Sequence, residues 1–393
     1  MNGGPRPLVS RYTREHAPLL DSFRTFVTRE LVPLAAETCG DDPERIPQDI
    51  RSQVRRRSAR LGFYAGDYPQ EAGGQGMPFA AKVLLYEYAE ESGCALAPAA
   101  LCGPEGPSAL LLAATPEQRE RYLRPLVEGT AVRCLAMTEP DSGSDAFDLA
   151  TRAVRDGDGW RLTGRKTFVS NAAKADFTLV YARTERPDGS WAPAVFVLER
   201  GTPGLTVGQR YAGLEGEPVH EVLLDGVAAG EDALLGGRAA LDKGTRIGQE
   251  ALARGRLLVA ACANGIAARA LALGLGFARE RMSLGRRIAQ HQHVQEHLVA
   301  SRVALESARL LTYAAAQELD EGRDAMEAAA LAKLAAADAA CTVVDRMFQV
   351  HGGTAWVKEH PLEYLYRHVR VLRIVEGTSE IQKVIIANAM GLG

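Results

Sequence analysis

The chain reads as an α+β protein in three consecutive regions: helical over residues 1–130, β over 131–240 and helical again over 241–393. Three observations predict that order. Apolar residues recur at three- and four-residue spacing in the first region. Short strand-like runs bounded by turn residues fill the second. Long alanine- and leucine-rich stretches fill the third.

In the first region, RYTREHAPLLDSFRTFVTREL, FAAKVLLYEYAEES and TPEQRERYLRPLVEG carry the helical spacing. Thr115-Pro116-Glu117-Gln118 has the form of a helix start, with proline at the first helical position. DYPQEAGGQGMP, rich in glycine and proline, separates two of the helices. In the second region, CLAM, ATRAVRD, GWRLTGRKTFVS, DFTLVYART, APAVFVLER, LTVGQ and HEVLLDGV read as strands, with Asp156-Gly157-Asp158-Gly159 as one of the turns. Their spacing suits a small antiparallel barrel or sandwich. In the third, residues 245–281, VQEHLVASRVALESARLLTYAAAQEL and AMEAAALAKLAAADAACTVVDRMFQV are long enough to pack on one another as a bundle.

With 46% hydrophobic residues among 393, a sizeable core can be buried. The net charge is −3 and the basic residues are dispersed, which argues against a nucleic-acid or membrane-surface protein. No charged-then-apolar leader is read at the N-terminus, and no apolar run is read as reaching the roughly 18 residues of a membrane span. Cys39, Cys94, Cys102, Cys134, Cys262 and Cys341 show no CxxC spacing. They read as reduced core cysteines, and the expected compartment is the cytoplasm.

Five motifs invite a chemical reading, and each has a structural alternative. In EGTSEIQ, Ser379 followed by Gln382 fits a capping box, which would leave Glu376 as an acid near a positive helix end. The other reading makes Glu376, outside the helix on a glycine-hinged turn, a base for a weakly acidic C–H. AMTEPDSGSD ends a strand and can present N–H groups and hydroxyls to a ring carbonyl or phosphate, or be a plain turn. In KTFVSN, strand alternation puts Phe168 and Ser170 on one face, as core or as ligand contact. RMSLGRRIAQHQ carries Arg281, Arg286 and Arg287 as a solvated loop or as phosphate contacts. QVHGG ends a helix on two glycines, either as a C-cap or to let a ligand approach. His291, His293 and His297 lack a carboxylate partner pattern, and no metal site is expected.

The order of these motifs resembles the acyl-CoA dehydrogenase flavoprotein family: TEPxxGSD, KxFxxN about thirty residues on, an RxxxG before a helix, QxHGG and a late EGTSEIQ. The resemblance runs from the YPQEAGGQG turn to the last helix. It implies an N-terminal α-helical domain, a middle antiparallel β-barrel and a C-terminal four-helix bundle, with FAD bound between the last two. It places flavin contacts at Leu135, Met137, Thr138, Gly143, Ser144, Phe168, Ser170 and Thr378. Arg281, Gln292, Gln349, Gly352 and Gly353 correspond to positions that reach the FAD of a neighbouring subunit in a homotetramer built as a dimer of dimers. Substrate contacts fall at Ser144, Arg256 and Gly377. Glu376 corresponds to the base that removes the α-proton of an acyl thioester while the β-hydrogen leaves as hydride to flavin N5. The backbone N–H of that base and a ribityl hydroxyl hold the thioester carbonyl. On this reading Ser379 caps the helix and Glu376 does chemistry. Some members carry the base near Arg256 instead, but ALARGR offers no acid there, and Glu250 lies just outside it.

The chain departs from the family pattern at Ser170 (commonly Thr), Leu284 (commonly Phe), Val375 (commonly Tyr) and Ala253 (polar in some members). The last two reshape the acyl pocket and point away from ordinary straight-chain substrates. A branched, short or carrier-protein-bound acyl thioester is one expectation, and γ,δ-desaturation is a further alternative. The expected substrate is an acyl-CoA or acyl carrier protein thioester, and electron-transfer flavoprotein is the expected acceptor. An oxidase or flavin monooxygenase on the same fold, and a non-catalytic thioester-binding protein, are the competing functions.

Overall fold

The computed structural model describes residues 8–185 and 189–392. The longer helices are α1 (Ala17–Phe26), α2 (Val32–Thr38), α3 (Gln48–Arg60) and α4 (Phe79–Glu91) before the β region. After it come α5 (Gly244–Glu280), α6 (Gln292–Asp320), α7 (Met326–His351), α8 (Pro361–Val369) and α9 (Ser379–Ala389). The strands are β1 (Arg133–Ala136), β2 (Arg152–Asp156), β3 (Gly159–Ser170), β4 (Phe177–Glu185), β5 (Trp191–Glu199), β6 (Leu205–Ala212) and β7 (Pro218–Ala229). Each strand-like run of the sequence is a strand. The Thr115 start carries the full reciprocal capping box with Gln118, and Pro116 stands at the first helical position.

The chain forms two compact units. One comprises Gln48–Gly76 and Ala99–Leu252. Its seven strands form one sheet in the order β1-β4-β2-β3-β7-β6, with β5 on the other side of β4. Most pairings are antiparallel, but β1 and β2 both run parallel to β4, on residues 177–180 and 183–184. A parallel partner needs a crossover rather than a hairpin, and the AMTEPDSGSD turn with the chain after it is part of that crossover. The turn at Gly157 closes the β2–β3 hairpin, with φ of 63° at Gly157. β4 is buried on both faces. Phe177, Leu179 and Tyr181 pack with Tyr64, Leu110, Leu123 and Leu126 from the helical segments of this unit. Val180 and Ala182 face Trp160, Leu162, Phe196 and Val222. A strand covered on both sides reads as a continuous apolar run, as FTLVY does.

The other unit comprises Met1–Pro47, Met77–Pro98 and Ala253–Gly393. Its helices meet through small residues: Ala329, Ala332, Ala336 and Ala340 of α7 are fully buried. A Cβ on Gly265 of α5 would lie 2.2 Å from the Glu87 carbonyl oxygen of α4, so the helices touch backbone to backbone there. Inside the contact, Arg309 donates to Glu87 at 2.7 Å and to Glu306 at 3.1 Å, and Tyr313 donates to Glu87.

One sequence expectation is corrected. The helix α5 does contain a span-length apolar window, with a mean hydropathy of 1.7. Because 67% of that window is buried, the apolar run is explained as core helix, and length and composition alone say no more. Among the described residues no group of three or more His, Cys, Asp or Glu is placed to hold a metal. His291 instead contacts Arg286 and the Ser283 carbonyl within a small hairpin. The hairpin turns on Leu284 and Gly285, both at positive φ.

Candidate active site

In the helical unit, the turn before α9 carries Glu376 at φ 56° and Gly377 at φ 88°. A left-handed residue with a Cβ is strained by about 1 kcal/mol or more and persists only where neighbours fix it. Here the neighbours are polar and inward. The Glu376 carbonyl accepts from Arg256 Nε and from Gln382 Nε2, each at 3.2 Å. The Gly377 carbonyl accepts from Lys333 Nζ and from Gln382 Nε2, each at 2.7 Å. Arg256, Lys333 and Gln382 are all buried. Burial pulls the Lys333 ammonium down to about 8, against the pull of Glu376. Burial lowers Arg256 as well, again opposed by Glu376.

The side chain of Glu376 extends toward α5. A Cβ on Gly255 would stand 2.5 Å from Glu376 Oε2 and 2.6 Å from Cδ, so the carboxylate occupies the space a side chain at 255 would need. The acid-free ALARGR stretch thus has a structural meaning, since glycine at 255 leaves room for the acid of another segment. Glu250 is exposed and paired with Arg246 at 2.6 Å. Ala253 is buried, and Val375 is 39% exposed.

The cap assignment is corrected. Thr378, not Ser379, is the N-cap of α9: its Oγ1 accepts from Ile381 N–H at 3.3 Å. Thr378 is extended, at φ −61° and ψ 165°, as an N-cap must be. Ser379 is already inside the first turn, and Gln382 reaches past the cap to the Glu376 and Gly377 carbonyls. Glu376 lies two residues before that N-cap, outside the helix.

The β unit presents a second group. AMTEP leaves β1 into a turn closed by Glu139 N–H to Ser142 O at 2.9 Å. Lys166 of β3 ties this turn down, donating to Met137 O at 2.9 Å and to Glu139 Oε1 at 2.7 Å. Glu139 also accepts from the N–H groups of Ala150 and Thr151. Burial opposes ionisation of Glu139, but the bonds from Lys166 and Thr151 hold its carboxyl below the usual range. Burial pulls Lys166 down to about 8 in spite of Glu139. At pH 7 the two are an ion pair with every carboxylate oxygen bonded. Breaking a buried pair leaves one charge uncompensated. We therefore expect Lys166→Met to lower stability by about 3–5 kcal/mol, checked by denaturant unfolding of the flavin-free protein.

Immediately after Lys166 the β3–β7 register slips, between Lys166 and Val169. Phe168 stands in that bulge at φ 54° and is 63% exposed, while Thr167 N–H donates to Thr138 O at 2.9 Å. A large apolar ring held outward in a strained conformation is not core packing, so that alternative reading of KTFVSN is excluded. Ser170 is half-buried on the same stretch. Leu135, Met137 and Thr138 are half-buried, and Gly143 and Ser144 are exposed on the turn. A Cβ at Gly143 would meet only Thr138 Cγ2, at 3.8 Å. The set suits a flat polar ring: an outward aromatic, hydroxyls at two depths and an open glycine turn. In the helical unit, Arg281, Gln292, Gln349, Gly352 and Gly353 are exposed in the single chain. The sequence gives no role to Glu139, Lys166 or Lys333, and reads Gln382 only as the capping-box partner of Ser379. Glu139, Lys166 and Gln382 stand inside quoted motifs, whereas Lys333 lies in the alanine-rich helix with no local signal.

Family models match along the chain: the acyl-CoA dehydrogenase N-terminal domain at residues 13–130, the middle domain at 134–227 and the C-terminal domain at 242–391. A 3-(aryl)acrylate reductase of Clostridium sporogenes is 35% identical over 96% of this chain and 98% of its own. The human mitochondrial short-chain specific acyl-CoA dehydrogenase is 34% identical over 95% of this chain and 89% of its own. The CarC subunit of the caffeyl-CoA reductase-Etf complex of Acetobacterium woodii is 33% identical over 93% and 96%. Among solved structures, an acyl-CoA dehydrogenase from Mycobacterium smegmatis superposes with a TM-score of 0.86 at 28% identity, over 96% of this chain and 98% of that one. PigA in complex with FAD superposes with a TM-score of 0.83 at 26% identity, over the whole of both chains.

Proposed function

The chain belongs to the acyl-CoA dehydrogenase family, and from that premise we propose that it is an FAD-dependent oxidoreductase that interconverts a saturated acyl thioester and its α,β-unsaturated counterpart, with Glu376 as the base. The observation that carries the assignment of the base is the Glu376 carboxylate seated over Gly255, on a turn whose two carbonyls are held by buried cations and an amide. A residue that only decorated a helix start would need none of this.

The residues assigned to FAD on this reading are Leu135, Met137, Thr138, Gly143, Ser144, Phe168 and Ser170. Arg281, Gln292, Gln349, Gly352 and Gly353 are assigned to a neighbouring subunit's cofactor in a dimer of dimers. Thr378 completes the set, although its hydroxyl already serves the α9 start. FAD, when bound, supplies a two-electron acceptor for the hydrogen at the β-carbon. This chain's residues do the rest. Glu376 takes the α-proton onto its carboxylate. Its own backbone N–H is the donor assigned to the thioester carbonyl as enolate charge develops. Arg256 and Gly377 fix the turn from which both act, and Ser144 is assigned to the substrate. Electron-transfer flavoprotein is the proposed acceptor, a reading supported by the Etf complex in which the CarC relative is named.

A second reading has a specific support: two of the relatives are named as reductases of unsaturated substrates. In that direction the same carboxyl delivers the proton to the α-carbon, and the geometry is unchanged. The experiment that tests both is anaerobic absorbance of the purified flavoprotein against a panel of saturated acyl-CoA and acyl-carrier-protein thioesters. It is repeated with the reduced protein and 2-enoyl thioesters. Bleaching by one saturated member names the substrate class and carrier. Reoxidation by an enoyl member with no bleaching by any saturated one assigns the reductive direction. Peroxide formed in air at the turnover rate would replace the dehydrogenase reading with that of an oxidase. A flavoprotein that no thioester reduces or reoxidises sinks the proposal.

A further inference from the structure

Resting on the reading of Glu376 as the base, we infer that Lys333 is a positioning residue for the reaction, a cation on the α7 helix whose bond to the Gly377 carbonyl fixes the strained turn and so the place of the Glu376 carboxylate. Three features set it apart from a structural lysine. Its side chain is completely buried in an alanine-rich helix face, where nothing about packing calls for a cation. The carbonyl it holds does not depend on it for satisfaction, because Gln382 Nε2 reaches the same oxygen at 2.7 Å. The residue it acts on is one that resists its own conformation, since Glu376 stands at φ 56° with a Cβ. The remaining charged groups facing Lys333 are Glu376, Arg256, Asp338 and Glu380. Asp338 is engaged by Arg373 at 2.8 Å, and Arg256 holds the neighbouring Glu376 carbonyl at 3.2 Å. Two cations therefore act on two successive carbonyls of one left-handed turn.

The ammonium, pulled down to about 8 by burial, is protonated below that pH and loses its charge as the pH rises through it. A neutral amine is a weaker donor to the carbonyl. The turn is thus held tightly below pH 8 and loosened above it. Stability runs the other way. With the folded value below that of the unfolded chain, the buried charge costs stability at low pH. That cost disappears as the pH rises through the folded value toward the unfolded one.

The test compares Lys333→Met, Lys333→Arg and Glu376→Gln as holoenzymes with the best thioester of the panel. We expect Lys333→Met to keep its flavin and to melt no lower than the wild type, because the cost of burying the charge is removed. Its kcat should fall about tenfold to a hundredfold at constant KM, as an ångström-scale misplacement does. Wild-type kcat should decline above pH 8, and that decline should be missing from the profile of Lys333→Met. Amide exchange over residues 374–380 of the flavin-free protein should quicken at least about tenfold while the rest of α7 is unchanged, because only the clamp is lost. Lys333→Arg, still charged at high pH, should carry its activity past pH 9. Wild-type kcat and an unchanged pH profile in Lys333→Met, with Glu376→Gln inactive, would overturn the inference and leave the base intact. Should Lys333→Met not fold, an alkaline decline in Lys333→Arg identical to wild type overturns it equally. Activity retained in Glu376→Gln defeats the base assignment itself, whatever the Lys333 variants do.

Discussion

Glu376→Gln is expected to leave a folded, yellow protein whose flavin is no longer bleached by the thioester that bleaches the wild type. The amide is isosteric, so the seat over Gly255 stays filled and the turn keeps its four carbonyl contacts. What is lost is the ability to take a proton. A positioned general base contributes about 10²–10⁴ in rate. With no other carboxylate assigned to this turn, the fall in the reductive rate constant should lie at the upper end of that range. Rapid mixing under anaerobic conditions measures it directly, and binding of the thioester, followed by the perturbed flavin spectrum, should survive. The substitution also costs stability, in a pH-dependent way. The charge of Glu376 offsets part of the cost of burying Lys333, so without it the lysine titrates lower still, and the variant should lose stability relative to the wild type at pH 6, where the ammonium is charged, and less of it at pH 9. A variant that reduces its flavin at the wild-type rate would remove Glu376 from the mechanism.

The fold was legible in the sequence because its signals are local. Hairpin turns, proline at a first helical position and alanine-rich periodicity each depend on neighbours a few residues away, and these elements appear where they were read. What pairs with what is not local. The parallel placement of β1 and β2 against β4 joins residues 44 and 31 positions apart, and no turn chemistry encodes it. For the same reason the helical segment before the strands is shared between two compact units, with Met77–Pro98 in one and Gln48–Gly76 in the other. Among the candidate residues of the two units, the acid, the aromatic of KTFVSN and the glycine turn are readable as motif letters. Their supports are not. Lys166 and Lys333 look like solvated lysines until the structure places each at a carbonyl in the interior. Thr378 and Ser379 are both good capping residues, and only the backbone angles decide between them. A motif preserves which groups react. The groups that hold them come from other segments, and only folding brings those together.

Gly255→Ala should give a protein more stable than the wild type and about a hundredfold less active. Position 255 lies inside the long α5 helix, where alanine is worth about 1 kcal/mol over glycine. Its new Cβ would stand 2.5 Å from Glu376 Oε2, well inside contact distance, and its three nearest neighbours all belong to that carboxylate. The atom that must yield is the end of a flexible side chain, so the helix keeps its gain and the carboxylate moves by about an ångström. A displacement of that size in a reacting group costs roughly 10² in rate. Gly276 of the same helix is the matched control, because a Cβ there meets nothing within 4 Å. Gly276→Ala should show the same stabilisation with full activity. Thermal unfolding and flavin bleaching, measured on both variants, separate the two roles glycine can have in this helix. Equal activity in the two would mean that the carboxylate does not work from its seat over residue 255, and the base would have to act from another rotamer.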